Sequence, residues 1–115
     1  MPRKILVASY ASHITTLSFD PAVSPPTLTV VSSLELGYHP SWITPHPTDT
    51  SVVFTANEQT DGVIKALKFD LYTGEGNVIA EVSCGGADPC HLVVCGSDLI
   101  TANVSPCQVF SKPDG

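Results

Sequence analysis

Apolar and polar positions alternate along this chain in short runs, and turn-forming residues separate the runs every few positions. Alternation with a period of two places successive side chains on opposite faces of an extended strand, whereas a helix needs apolar positions three and four apart. Within residues 28–36, Leu28, Val30, Leu34 and Leu36 are expected on one face and Thr29, Ser33 and Glu35 on the other, with Val31 the exception. Ile5, Leu6, Val7 and Ala8 read as another strand, because Ser9, Ser12 and His13 interrupt the run before it reaches the length of a signal peptide. Pro47-Thr48-Asp49, Thr60-Asp61-Gly62 and Tyr72-Thr73-Gly74-Glu75-Gly76 supply the fixed φ of proline and the positive φ of glycine that tight reversals use. Strands are predicted at residues 41–44, 51–57, 62–70 and 77–84, and the fold class is all-β.

The pattern also repeats. Gly37-Tyr38-His39-Pro40-Ser41-Trp42-Ile43 aligns with Gly86-Ala87-Asp88-Pro89-Cys90-His91-Leu92 at a shift of 49 residues. Phe54-Thr55-Ala56-Asn57 aligns with Ile100-Thr101-Ala102-Asn103 at a shift of 46, and Leu17-Ser18-Phe19-Asp20 recurs as Leu67-Lys68-Phe69-Asp70 at a shift of 50. A period of roughly 47 residues holding about four short strands fits a β-propeller blade, a four-stranded antiparallel sheet, far better than paired amphipathic helices. The phasing predicts one partial propeller domain of about two and a half blades over residues 1–115: an incomplete first blade at 1–36, a complete blade at 37–84 and an incomplete third at 85–115. A ring of seven such units would need roughly 330 residues, so the chain is expected to be a fragment, a truncated product or one piece of an assembly. Its exposed blade edges are expected to drive self-association.

Composition narrows the partners. The formal net charge is -6, with five Lys plus Arg against eleven Asp plus Glu. Such a field disfavours nucleic acid and anionic membrane, whose phosphates need clustered cations. No run is long enough for a membrane-spanning helix, and a soluble cytoplasmic protein is the expectation. Cys84, Cys90, Cys95 and Cys107 match no zinc or Cys-x-x-Cys spacing, so they read as reduced core thiols, and neither a metal nor any other cofactor is expected.

Ser41-Trp42-Ile43-Thr44-Pro45-His46-Pro47, then Phe54-Thr55-Ala56-Asn57-Glu58, then Gly85-Gly86-Ala87-Asp88-Pro89-Cys90-His91-Leu92 resemble the first blades of the lactonase-type seven-bladed propellers. That family includes bacterial-type 6-phosphogluconolactonases and fungal carboxy-cis,cis-muconate cyclases, with His, Glu and Arg side chains around the mouth of a central channel. The resemblance implies hydrolysis of a sugar-acid lactone such as 6-phosphogluconolactone, in carbohydrate metabolism, with a small-molecule lactone or sugar acid as partner. The alternatives are a muconate-type lactonizing cyclase and a non-catalytic interaction scaffold. Two blades cannot assemble a mouth built from several, so the isolated chain is expected to be inactive.

Matched to the motifs, Glu58 and His91 are the catalytic candidates, and His39, Asn57 and Trp42 the substrate-binding ones. A carboxylate at Glu58 suits a general base that activates water against the lactone carbonyl, and an imidazole at His91 suits a group that donates to the ring oxygen or holds the carbonyl. The bland readings are a carboxylate capping the amides of the turn after it, and a packed, hydrogen-bonded histidine. Trp42 reads first as core and then as a stacking surface, His46 as a solvated loop residue, and His13 as a turn residue without function. Where this chain has Ser41, the muconate cyclases carry Arg. Arg3 is the single arginine, so the cationic grip for an anionic phosphosugar or muconate is missing from this portion, and the later blades of a full-length member would have to supply it.

Overall fold

The computed structural model describes residues 2–105, and every regular element among them is a strand. The strands β1 (Arg3–Val7), β2 (His13–Asp20) and β3 (Thr27–Glu35) form one antiparallel sheet in chain order. A second contains β4 (Pro40–Pro45), β5 (Val52–Asn57), β6 (Val63–Phe69) and β7 (Gly76–Ser83), and a third contains β8 (Ala87–Cys95) and β9 (Asp98–Ser105). The four strands predicted for the complete repeat are these four of the second sheet, within one residue at each end. Cys107, expected as a core thiol, lies outside the described residues.

The repeat is written in the backbone as well as in the residues. His39 and Asp88 occupy equivalent positions, each preceding a proline, and both adopt positive φ, 45° and 52°. Register shifts fall between Pro40 and Trp42 and between Pro89 and His91, so Ser41 and Cys90 are the bulged residues of their strands. A second pair of bulges falls opposite Thr16/Leu17 and Ala66/Leu67, the same point of the motif shared by β2 and β6.

One of these bulges corrects the alternation expected for residues 28–36. Thr16 pairs with Ser32 and Leu17 with Val30, which leaves Val31 as the extra residue. An extra residue shifts the strand's phase. Leu34 therefore lies opposite buried Ile14 while Leu28 and Val30 lie opposite Phe19 and Leu17, on the other face and well exposed. The position that broke the pattern is where the facing reverses.

The core is split between the two sides of the middle sheet. On one side Ile14 and Leu36 of the first sheet meet Leu67 and Phe69, with Val53 packed against them. On the other, Ala56, Ile64 and Cys84 meet Leu92 of the third sheet, with Phe54 and Leu99 alongside. Neighbouring residues Val53 and Phe54 of β5 thus serve opposite interfaces, as the period of a strand requires. Cys84 is buried, but Cys95 is exposed at the end of β8, as are Val93 and Ile100 of the same hairpin, so the expectation of core thiols fails there. His13 begins β2 and lies 3.8 Å from Glu35, so it is not a turn residue.

Candidate functional site

The connections at one end of the sheets converge on a cleft of about 650 Å³. Tyr10, between β1 and β2, enters from the first sheet, and Tyr38 and His39 come from the connection between β3 and β4. The β5–β6 turn contributes Glu58 through Asp61, and Asp88 enters from the start of the third sheet. All three sheets contribute.

Glu58 is held by two hydroxyls. Ser41 Oγ donates to its Oε1 at 2.7 Å, and Tyr10 OH donates to its Oε2 at 3.1 Å. The bulge at Ser41 aims this serine across its own hairpin, and the Glu58 N–H donates to the His39 carbonyl at 2.9 Å, so main chain and side chain are both fixed. Hydrogen bonds to an ionised carboxylate are stronger than neutral ones, and both oxygens face a donor. Glu58 does not cap the amides of the following turn. The Glu58 carboxylate, first by its hydrogen bond and then by its charge, raises the Tyr10 phenol above its ordinary value of 10.0, because losing that proton would set two anions side by side.

His39 is stacked on two tyrosines, with ring centroids 4.5 Å from Tyr10 and 3.7 Å from Tyr38. Its left-handed backbone is uncommon for a histidine and disfavoured before proline. The hydrogen bond from Glu58 and the two stacked rings hold it there. Asn57 lies beneath the cleft, 2% exposed, and its amide donates to the carbonyls of Leu36 at 3.0 Å and Tyr38 at 2.7 Å. Its place is under the loop that carries Tyr38, which it positions.

Trp42 and His91 stand apart from the cleft lining and pack on each other, with centroids 4.3 Å apart. Trp42 is no core residue: it is 37% exposed, and its Nε1 donates to the Leu92 carbonyl at 3.2 Å, tying β4 to β8. The structure therefore brings Glu58 and His39 into one cleft, puts Asn57 under it, and leaves His91 and Trp42 outside its lining. His46 is not simply solvated, since its Nδ1 accepts from the N–H groups of Thr48 and Asp49 at 3.2 and 3.0 Å. Among the described residues no cluster of His, Cys, Asp or Glu has the geometry of a metal site.

Tyr10, Ser41, Tyr38 and Asp88 were not expected at the site. Ser41 carried a readable signal, since it sits one residue before Trp42 in a repeated string whose hairpin partner ends at Asn57-Glu58. Tyr10 carried none, because its loop lies outside the strings that repeat.

A family model described as lactonase, 7-bladed beta-propeller, matches residues 4–110 of this chain. Two crystal structures superpose on it with a TM-score of 0.77, both of candidate 6-phosphogluconolactonases. The one from Bacteroides uniformis is 30% identical and the one from Bacteroides fragilis 28%. Each alignment covers 89% of this chain but only 30% and 29% of the respective neighbours, so the chain spans less than a third of their length. Comparison with the curated proteins gave no match.

Proposed function

Because the chain belongs to the lactonase family of seven-bladed β-propellers, we propose that its sheets are consecutive blades, divided at 36/37 and 84/85, and that the cleft between them opens a sugar-acid lactone such as 6-phosphogluconolactone. The observation that carries this reading is the Glu58 carboxylate, fixed by hydroxyls from two different sheets at the edge of an open cleft. In the proposed step Glu58 takes a proton from water as the water oxygen bonds to the lactone carbonyl carbon. The tetrahedral intermediate then collapses, the bond from that carbon to the ring oxygen breaks, and the ring oxygen receives a proton. No net redox change occurs and no cofactor is consumed.

His91 is the proposed donor of the second proton. Since it lies beside Trp42 and outside the cleft lining, the substrate extends from the cleft along β4 and β8 to reach it. Ser41 and Tyr10 act through Glu58 as positioning residues.

The test is δ-lactone hydrolysis, measured for residues 1–115 alone and within a closed ring of blades carrying them. Glu58→Gln keeps the size and removes the base, and is expected to lower kcat in the ring by about a hundredfold or more, in line with the usual contribution of a positioned base. His91→Ala is expected to cost less. Turnover unchanged by Glu58→Gln would remove this carboxylate from the reaction.

A further inference from the structure

We infer that Tyr10 is a catalytic residue as well as a positioning one: its hydroxyl passes from the Glu58 carboxylate to the oxyanion that forms on the lactone carbonyl. The inference rests on the reading of Glu58 as the base and adds the group that meets the developing charge. The two oxygens of Glu58 are not equivalent. Oε1 meets Ser41, a half-buried residue of the same hairpin that is not part of the cleft lining, whereas Oε2 meets Tyr10, which lines the cleft and is 62% exposed. Oε2 is therefore the oxygen turned to substrate. A carboxylate oxygen accepts two hydrogen bonds, so Oε2 can hold Tyr10 and the attacking water together. The carbonyl that this water approaches then comes beside the same phenol.

Charge moves during the step. The water proton goes to Oε2, the water oxygen bonds to the carbonyl carbon, and the carbonyl π pair goes to the carbonyl oxygen. Negative charge thus leaves Glu58 and appears on the substrate. A hydroxyl donates more strongly to an anion than to a neutral acceptor, so the Tyr10 hydrogen bond follows the charge, and a turn about the phenol's own C–O bond redirects it. Tyr10 keeps its proton throughout, since Glu58, by its hydrogen bond and then its charge, raises the phenol above 10.0. The ring is held on His39, with centroids 4.5 Å apart and planes 22° from parallel, so the donor is in place before the reaction begins. The main-chain donors of Glu58 and Asp88 are engaged, by the carbonyls of His39 and Gln59 at 2.9 and 2.8 Å. Tyr38 and Thr60 also line the cleft, but the lining hydroxyl bonded to Glu58 is that of Tyr10.

The test is the kinetics of 6-phosphogluconolactone hydrolysis in the closed ring of blades carrying residues 1–115. Tyr10→Phe keeps the ring and its stacking and removes the donor. It is expected to lower kcat by about a hundredfold, the usual cost of one oxyanion donor, and to leave KM within about twofold, since the contact is made only in the transition state. Ser41→Ala removes the other and shorter hold on Glu58, and is expected to cost about tenfold less than Tyr10→Phe, because Ser41 meets no developing charge. If both hydroxyls only positioned the base, Ser41→Ala would cost at least as much. In a Glu58→Gln background Tyr10→Phe should still cost about tenfold or more, whereas a group acting only through Glu58 adds nothing there. The inference is overturned if Tyr10→Phe leaves kcat unchanged, if it costs no more than Ser41→Ala, or if its effect vanishes in the Glu58→Gln background. Each of these outcomes leaves Glu58 as the base. Turnover untouched by Glu58→Gln but cut by Tyr10→Phe sinks the reading of Glu58 and keeps Tyr10 as the oxyanion donor.

Discussion

The middle sheet is gripped differently on its two sides. Against the first sheet it presents bulk: Leu67 and Phe69 meet Ile14 and Leu36, and a space of about 140 Å³ remains beside Leu6, Val53 and Phe69. Polar links there run through side chains, with Thr16 Oγ1 and Ser32 Oγ donating to the Gly74 carbonyl at 2.9 and 2.6 Å. Against the third sheet the buried groups are smaller, and backbones approach closely enough to bond directly. The Gly62 N–H donates to the Gly86 carbonyl at 3.1 Å and the Asp88 N–H to the Gln59 carbonyl at 2.8 Å. Side chains can repack around a gap, whereas main-chain bonds between sheets fix the spacing. The cleft therefore has a firm wall where Asp88 joins the β5–β6 turn and a yielding one where Tyr10 reaches across to Glu58.

If bulk holds the first interface, truncating a fully buried contributor to it should be expensive. Leu67 is fully buried. Leu67→Ala is expected to cost about 3 kcal/mol, within the usual range for a cavity left by a buried leucine, measured as the shift in a denaturant midpoint. A cost below about 1 kcal/mol would mean that the existing space lets this interface collapse around the loss, and the comparison would fail on its first side.

Close approach on the second side makes the opposite demand, that nothing be added. A Cβ at Gly62 would overlap Cys84 Sγ and fall 2.5 Å from Pro89 Cδ, and the proline ring cannot swing aside. Gly62→Ala is expected to destabilise by about 1–3 kcal/mol, the cost of overpacking, and to lower amide-exchange protection least in the first sheet and most at Asp88. A change within about 0.5 kcal/mol, the ordinary range for a surface substitution, would show that the sheets can separate freely here.

Much of this was legible in the residues, for a physical reason that also marks where legibility stops. Strands with period two and turns built on proline and glycine announce themselves locally, and the repeated Gly-x-x-Pro and Ala-Asn strings placed β4, β5, β8 and β9 in register. Val31 was visible as an anomaly, but not as a bulge, because only pairing with β2 decides which residue is extra. At the site, Glu58 and His39 were readable because they sit beside repeated motifs. Tyr10 was not, since its contact with Glu58 spans 48 residues and depends on how two sheets stack. His91 and Asn57 were legible as residues but not as places: Trp42 and His91, equivalent in the repeat, pack against each other on β4 and β8, and the buried Asn57 bonds the carbonyl of Tyr38.

The smallest expected effect is an acid response that should separate the two sides. Asp70, in the β6–β7 turn, has its carboxyl held below its ordinary value of 3.8, first by the Thr73 N–H and then by the Tyr72 N–H, at 2.9 and 2.8 Å. Asp49, in the β4–β5 turn, is lowered likewise, mainly by the Ser51 hydroxyl at 2.6 Å. A carboxylate depressed in the folded state stabilises above its unfolded value and loses that contribution as pH falls through the folded one. Both contributions should therefore be complete at neutral pH and disappear below the usual aspartate range. The turn closed by Asp70 carries Gly74, whose carbonyl accepts Thr16 and Ser32, and its φ of 81° suits glycine. The turn closed by Asp49 bonds only within its own sheet. Asp70→Asn should consequently flatten the acid limb of stability and, at neutral pH, raise amide exchange in β2 and β3, while Asp49→Asn flattens the limb and leaves those strands as protected as before. Equal exchange in the first sheet for both variants would show that the Gly74 link does not transmit the turn's loosening, and the first interface would then rest on its apolar contacts alone.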